Sequence, residues 1–247
     1  MRALTTLDRR TVLKALSLAP VLAATVPAVL RAEANKAGLI STDVCLLQAE
    51  ATEGPFYIDP KLIRTDITEG RPGLPMTLRL QVVTADCAAV AGARVDVWHC
   101  DAAGVYSGVE NIGGDDTTGQ TFLRGTQMTD AAGTVAFQTI FPGWYRGRTT
   151  HIHYKVILRD NTVLTSQIFF DEAVNAAIYD DHQDYAARGS TRDKLNADDS
   201  IAVEAGAGAI ARVRMTEPDG AMEAGLVVGI SPVGRSGGLL DWLWRRG

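Results

Sequence analysis

Two histidines separated by one residue, His151 and His153, stand at the head of the apolar run His151 to Leu158. On a β-strand residues two apart share a face, so both imidazoles project to one side and can chelate a single ion. Two tyrosines in glycine-marked loops are the other candidates: Tyr106, within Asp101-Ala102-Ala103-Gly104-Val105-Tyr106-Ser107-Gly108, and Tyr145, shortly before the histidines. Taken singly, each tyrosine reads as an amphipathic residue at the edge of a core. By spacing alone only the histidine pair points to a metal, and on its own it is a weak signal.

Other metals and ligand sets fit less well. A cupin-type site would add a carboxylate a few residues after the histidine pair, and Tyr154-Lys155-Val156-Ile157-Leu158 supplies none. A zinc hydrolase needs a third histidine or a carboxylate from elsewhere. His99 and His182 are the remaining histidines, and neither lies in a segment with further ligand spacing. A four-cysteine zinc site is excluded, because the chain holds only Cys45, Cys87 and Cys100. His99 and Cys100 are adjacent, so on a strand they point to opposite faces.

The elements that must position these residues read as all-β, an antiparallel β-sandwich with long loops and a short N-terminal segment. Short runs rich in Val, Ile, Leu, Thr and Phe alternate with Gly- and Asp-containing turns from Met76 onward. Strands are expected over Met76 to Thr84, Arg94 to Cys100, Phe122 to Met128, Thr134 to Ile140, His151 to Leu158, Leu164 to Phe170, Ala209 to Met215 and Leu226 to Ile230. Asp130-Ala131-Ala132-Gly133 reads as a hairpin turn with Gly133 at positive φ. A short helix is expected around Glu172 to Tyr179, and the segment from Asn175 to Ser200 reads as a long surface excursion.

Three segments divide the chain of 247 residues. Residues 1–34 read as an export signal: Arg9-Arg10 precede an apolar stretch from Ala15 to Leu30, and Ala32-Glu33-Ala34 offers a cleavage site. Pro20 and Pro27 interrupt that stretch, which falls short of the ~20 apolar residues of a membrane span. Residues 35–230 form the folded domain, and residues 231–247 a Gly-rich tail that closes on Trp242-Leu243-Trp244-Arg245-Arg246-Gly247. Removing residues 1–34 takes away five basic and two acidic residues, so the net charge moves from −5 to −8. No basic stripe with interleaved aromatics is present, which argues against a nucleic-acid partner. An oxidising compartment permits one disulfide among the three cysteines, and spacing does not choose the pair.

Several motifs, taken in order, resemble the intradiol ring-cleavage dioxygenases, the family of catechol, hydroxyquinol and protocatechuate dioxygenases. Glu53-Gly54-Pro55-Phe56-Tyr57 is similar to the family's early E-G-P-aromatic element. Val95-Asp96-Val97-Trp98 followed by Ala102-Ala103-Gly104-Val105-Tyr106 resembles the element carrying the first tyrosine ligand. Pro142-Gly143-Trp144-Tyr145 resembles the turn bearing the second, and Arg148-Thr149-Thr150-His151-Ile152-His153 the histidine strand. Thr165-Ser166-Gln167-Ile168-Phe169-Phe170 is similar to the strand that follows. The stretch between Tyr145 and Arg148 is very short, unlike the longer insertion of protocatechuate enzymes, and resembles smaller exported relatives.

The resemblance implies Fe(3+) held by Tyr106, Tyr145, His151 and His153, in a non-haem dioxygenase that opens a catechol-type ring between its two hydroxyl-bearing carbons. Its partners would be a small aromatic diol and O2, in a monomer or homo-oligomer without a stable membrane span. Two phenolates and two neutral imidazoles suit ferric iron better than zinc or copper(I). Three positive charges against two phenolates and a hydroxide leave a neutral centre that can be buried. The resemblance gives Tyr145 the part of the ligand that leaves and acts as base, Arg148 that of a charge stabiliser, and Gln167 that of a supporting amide. Glu53 and Tyr57 either line the substrate mouth or anchor the N-terminal segment. The twin arginine implies export, to the periplasm or beyond. The competing readings are a non-catalytic β-sandwich that binds metal or ligand, and a zinc-dependent hydrolase.

Overall fold

Alternating apolar and polar residues build eight strands: β1 Pro75–Thr84, β2 Arg94–Trp98, β3 Arg124–Met128, β4 Thr134–Ile140, β5 His151–Leu158, β6 Asn161–Phe169, β7 Arg212–Thr216 and β8 Ala221–Ile230. The computed structural model describes residues 47–59, 61–110, 116–188, 192–216 and 220–231. The export pattern, Cys45 and the tail beyond Ser231 lie outside the described residues.

The strands form two four-stranded sheets, ordered β4-β1-β8-β7 and β3-β2-β5-β6. In β1, Met76, Leu78, Leu80 and Val82 point inward and are buried, while Thr77 and Arg79 point out. Val95 and Val97 of β2, Ile152, Tyr154 and Val156 of β5, and Val228 of β8 join them in one core between the sheets. This is the expected sandwich, with two corrections. β1 and β8 run parallel, although every other neighbouring pair is antiparallel. Asp130 to Gly133 make a tight turn, with Gly133 at φ +75 and its N–H donating to Asp130 O at 3.0 Å. That turn does not close a hairpin of sheet partners, because β3 pairs with β2 and β4 with β1, in opposite sheets.

Strand ends also shift for physical reasons. β2 stops at Trp98, because His99 and Cys100 turn into the loop toward Tyr106. Ala207–Ala209 form a 3₁₀ turn, so β7 begins only at Arg212. β8 reaches back to Ala221, where pairing with β1 and β7 holds Ala224 and Gly225 in the sheet despite their weak strand preference. The expected helix, α1, spans Glu172–Asp181, and the excursion after it holds α2 Gln183–Ala186 and α3 Ser200–Ala205. Among the described residues, no helix is long and apolar enough to cross a membrane.

Candidate metal centre

The site stands on the outer face of the β3-β2-β5-β6 sheet. Alternation along β5 sends Ile152, Tyr154 and Val156 into the core, and therefore turns His151, His153 and Lys155 outward. These outward residues are nevertheless buried, because flanking segments cover them. Residues 51–57 lie on one side: Ala51 N–H donates to Thr165 O at 2.9 Å, and the Phe56 ring stacks on Tyr106 with centroids 4.6 Å apart. On the other side Ala211 N–H donates to Phe169 O at 2.8 Å and fastens the chain after α3 to β6. Strand register aligns Arg124, Trp98, His153 and Gln167 in one row across the four strands.

The two tyrosines come from loops that touch backbone to backbone. Tyr106 lies in the β2–β3 connection and Tyr145 in the β4–β5 connection. Gly143 N–H donates to Asp101 O at 3.0 Å, and a Cβ at Gly143 would meet Ala102 O at 2.6 Å. Gly104, at φ +87, passes equally close to the Trp144 carbonyl. Any side chain at either position would separate the loops and the two phenols with them.

All four expected ligands converge. His151 Nε2 lies 3.4 Å from the Tyr106 hydroxyl, 3.2 Å from the Tyr145 hydroxyl and 3.1 Å from His153 Nε2. Donor atoms that are each about 2 Å from one shared ion sit about 3 Å from one another, so the spacing fits a metal. His151 Nδ1 donates to Thr149 O at 2.7 Å, which leaves the Nε2 lone pair for coordination. His153 Nδ1 is buried with no hydrogen-bond partner, and the ring lies flat against Trp98. Among the described residues, no group of three or more His, Cys, Asp or Glu side chains could hold a metal ion. A metal in this region therefore depends on the phenols.

Burial keeps the donors uncharged while no cation is bound. It lowers the His151 pKa to about 3, with the Arg148 charge adding to the effect, and holds His153 well below its usual value. It also raises Tyr145 to about 12, opposed by Arg148, and holds Tyr106 well above its usual value. Neutral imidazole is the form that binds metal, and a strongly charged cation can displace the phenol protons.

Arg148 and Gln167 meet at the edge of the site: Arg148 Nη2 donates to Gln167 Oε1 at 2.6 Å, and Gln167 Nε2 donates to Thr52 O at 2.9 Å. Glu53 and Tyr57 act as anchors. Glu53 pairs with Lys155, whose ammonium sits 3.6 Å over the Tyr57 ring, and the Tyr57 hydroxyl donates to Asp96 at 2.9 Å. His99 and His182 serve other roles. The His99 ring nitrogens contact Cys100 O at 2.8 Å and Thr139 Oγ1 at 2.7 Å, and His182 caps α2. Cys87 is disulfide-bonded and Cys100 is a buried free thiol.

The sequence alone did not single out Arg124. It is buried without a carboxylate partner among the described residues, and its guanidinium donates to Ser107 O at 2.6 Å and to Phe56 O at 2.7 Å. It thereby clamps both the Tyr106 loop and the aromatic that stacks on Tyr106. A single charged residue inside the otherwise uncharged run Phe122 to Met128 was the available signal.

A family model described as Dioxygenase matches residues 52–212. The solved structure of an intradiol ring-cleavage dioxygenase from Tetranychus urticae is 35% identical, covers 78% of this chain and 98% of that one, and superposes with a TM-score of 0.70. The dioxygenase domain of a carbohydrate-binding fusion protein from Streptomyces sp. SirexAA-E is 28% identical, covers 74% and 97% of the two chains, and gives a TM-score of 0.54. A chlorocatechol 1,2-dioxygenase from Pseudomonas sp. (strain P51) is 28% identical over 142 residues, which are 49% of this chain and 55% of that protein. The chain thus spans about half the length of the curated relatives it matches.

Proposed function

The chain belongs to the intradiol ring-cleavage dioxygenase family, and we propose that it is a non-haem iron(III) enzyme that opens a catechol-type ring between its two hydroxyl-bearing carbons. The observation that carries the reading is the convergence of two phenols and two imidazoles, with His151 Nε2 within 3.1–3.4 Å of the other three donors. The absence of a cluster of three His, Cys, Asp or Glu among the described residues speaks against the zinc-hydrolase alternative. Tyr106, Tyr145, His151 and His153 would hold the ion. When bound, ferric iron would take both oxygens of the diol and make the ring reactive toward O2, whose two atoms end in a muconate-type diacid.

The chain's own residues divide the remaining work by how deeply they are buried and held. Tyr106 is fully buried, stacked on Phe56 and locked by the Arg124 clamp on Ser107, so it is the fixed ligand. Tyr145 is half-buried, on a short loop that continues into exposed Arg146 and Gly147. It is the ligand placed to move aside and accept a substrate hydroxyl proton at its phenolate oxygen. Arg148, held against Gln167, supplies a fixed positive charge beside the developing negative charge.

Export is part of the proposal. The twin arginine at Arg9-Arg10 supports passage out of the cytoplasm, and a disulfide at Cys87 suits an oxidising compartment.

The test is the visible spectrum of the purified protein, with iron quantified, before and after catechol is added without oxygen. A tyrosinate-to-iron band that shifts with catechol, followed by oxygen uptake on aeration, is the expected result. A protein that stays colourless after loading with ferric iron would overturn the proposal in favour of a non-catalytic binding module.

A further inference from the structure

Asp199 lies outside the family motifs and is tied to the site through Arg148 and Thr149. It lies between the 3₁₀ turn Asn196–Asp198 and α3, and its side chain is buried. One carboxylate oxygen, Oδ2, accepts from Arg148 Nε at 2.7 Å and from Thr149 N–H at 2.9 Å. The other, Oδ1, accepts from Ile201 N–H at 2.9 Å and Ala202 N–H at 3.3 Å and caps the helix. Thr149 in turn accepts from His151 Nδ1 at its carbonyl, and its hydroxyl contacts Asn196 Oδ1 at 2.8 Å.

Two features separate this arrangement from an ordinary helix cap. The guanidinium of Arg148 is gripped from two directions, Nε by Asp199 and Nη2 by Gln167, which fixes its plane as well as its position. The peptide on the N-terminal side of Thr149 is held by the same carboxylate, and the carbonyl of that residue holds the His151 tautomer. One side chain from the C-terminal excursion thus reaches both the positive group and the strand that carries the histidines.

We propose that Asp199 is a positioning residue for ring cleavage, fixing the Arg148 guanidinium beside the metal centre through the Arg148 Nε–Asp199 Oδ2 ion pair. The proposal rests on the ring-cleaving reading for its effect on turnover, but the ion pair can be tested without it.

Asp199→Asn keeps an oxygen acceptor for Ile201 and Ala202 and removes the charge from Arg148, so it separates the two roles. Asp199→Ser, which also caps helices, guards against a failure specific to Asn. In metal-free protein, the Arg148 Nε–H resonance, identified by its disappearance in Arg148→Lys, should exchange slowly with water in the wild type and rapidly in both Asp199 variants. In iron-loaded protein, Asp199→Asn should keep the wild-type visible band and lose about ten- to a hundredfold in kcat with little change in KM. The same substitution on an Arg148→Ala background should cause no further loss, since the two residues act as one unit.

An Arg148 Nε–H that stays protected in both variants would overturn the proposal, as would losses that add in the double variant. If the wild type neither colours nor cleaves a diol while the resonance responds as expected, the ring-cleaving reading fails and the Asp199 grip on Arg148 stands.

Discussion

The Trp98 indole lies parallel to the His153 imidazole, with centroids 4.9 Å apart and planes 9° from each other. Metal-binding histidines ordinarily have their second nitrogen held by a hydrogen bond, and His153 Nδ1 is buried without one. The stacked indole is therefore what sets the direction of His153 Nε2. Strand register makes this unavoidable, because Trp98 and His153 are direct partners on β2 and β5.

Replacing Trp98 should loosen the ligand. Trp98→Leu is expected to weaken iron binding about tenfold or more, measured by competition with a chelator. It should also destabilise the metal-free protein by about 2–4 kcal/mol through the cavity it leaves. Trp98→Phe should do less of both, since Nε1 has no hydrogen bond to lose. Wild-type affinity in Trp98→Leu would show that the stack is passive.

Gly143 and Gly147 make a matched pair for the loop contact. Gly143→Ala sets a methyl against the Asp101 and Ala102 carbonyls, and should cost about 1–3 kcal/mol or more while lowering iron content. Gly147→Ala meets nothing within 4 Å and is strained only by φ +86, so about 1 kcal/mol with normal colour is expected. Thermal denaturation and metal analysis of the two variants provide the check, and equal effects would refute the steric account.

The two tyrosines should respond differently to loss of the hydroxyl. Tyr145→Phe is expected to retain iron with an altered visible band, and to lose about a hundredfold or more in kcat as the base disappears. Tyr106→Phe removes the fixed ligand and should mainly reduce iron affinity. Titration with ferric iron followed by stopped-flow turnover separates the outcomes, and a reversed pattern would exchange their roles.

Arg124→Lys tests the clamp. A lysine cannot span Ser107 O and Phe56 O together, so at least one buried carbonyl loses its donor and about 1–3 kcal/mol of stability goes with it. Chemical denaturation gives the stability. A parallel fall in iron affinity is expected, because the Tyr106 loop is released.

Acid should destabilise the metal-free protein through its histidines. Burial lowers His99 to about 4, against about 6.5 when unfolded, so between those values the unfolded chain binds the extra proton. Stability is complete above about pH 6.5 and falls with decreasing pH, by about 1.4 kcal/mol per pH unit for each such proton. His151, lowered to about 3, and His153 act in the same direction. Denaturation measured across this range should show His99→Gln with about one proton less of slope than the wild type, and an unchanged slope would contradict a buried neutral His99.

The strand pattern was legible because each strand has one face in the core, and alternation is the direct imprint of that burial. The parallel pairing of β1 with β8 was not, since closure of a sheet by its sequence-distant ends leaves no local trace. The Asp130–Gly133 turn was recognised by its chemistry, yet the destination of its flanking strands depends on partners far along the chain. His151 and His153 could be found by strand periodicity, and the tyrosines by motif. Trp98, Arg124 and Asp199 emerge only once register and loop return bring them to the site, because each acts through a contact with a residue distant along the chain.

Standing the candidate donors on the outward face of a sheet also separates them from the packed interior. The inner layer, with Leu78, Val97, Ile152 and Tyr154 at its centre, shares with the chemistry only the strand backbones. Substitutions in residues 51–57 or 192–209 can therefore reshape the approach to the proposed metal without repacking that inner layer. A scaffold arranged in this way can change its coverings while the four candidate donors and the sandwich beneath them stay as they are.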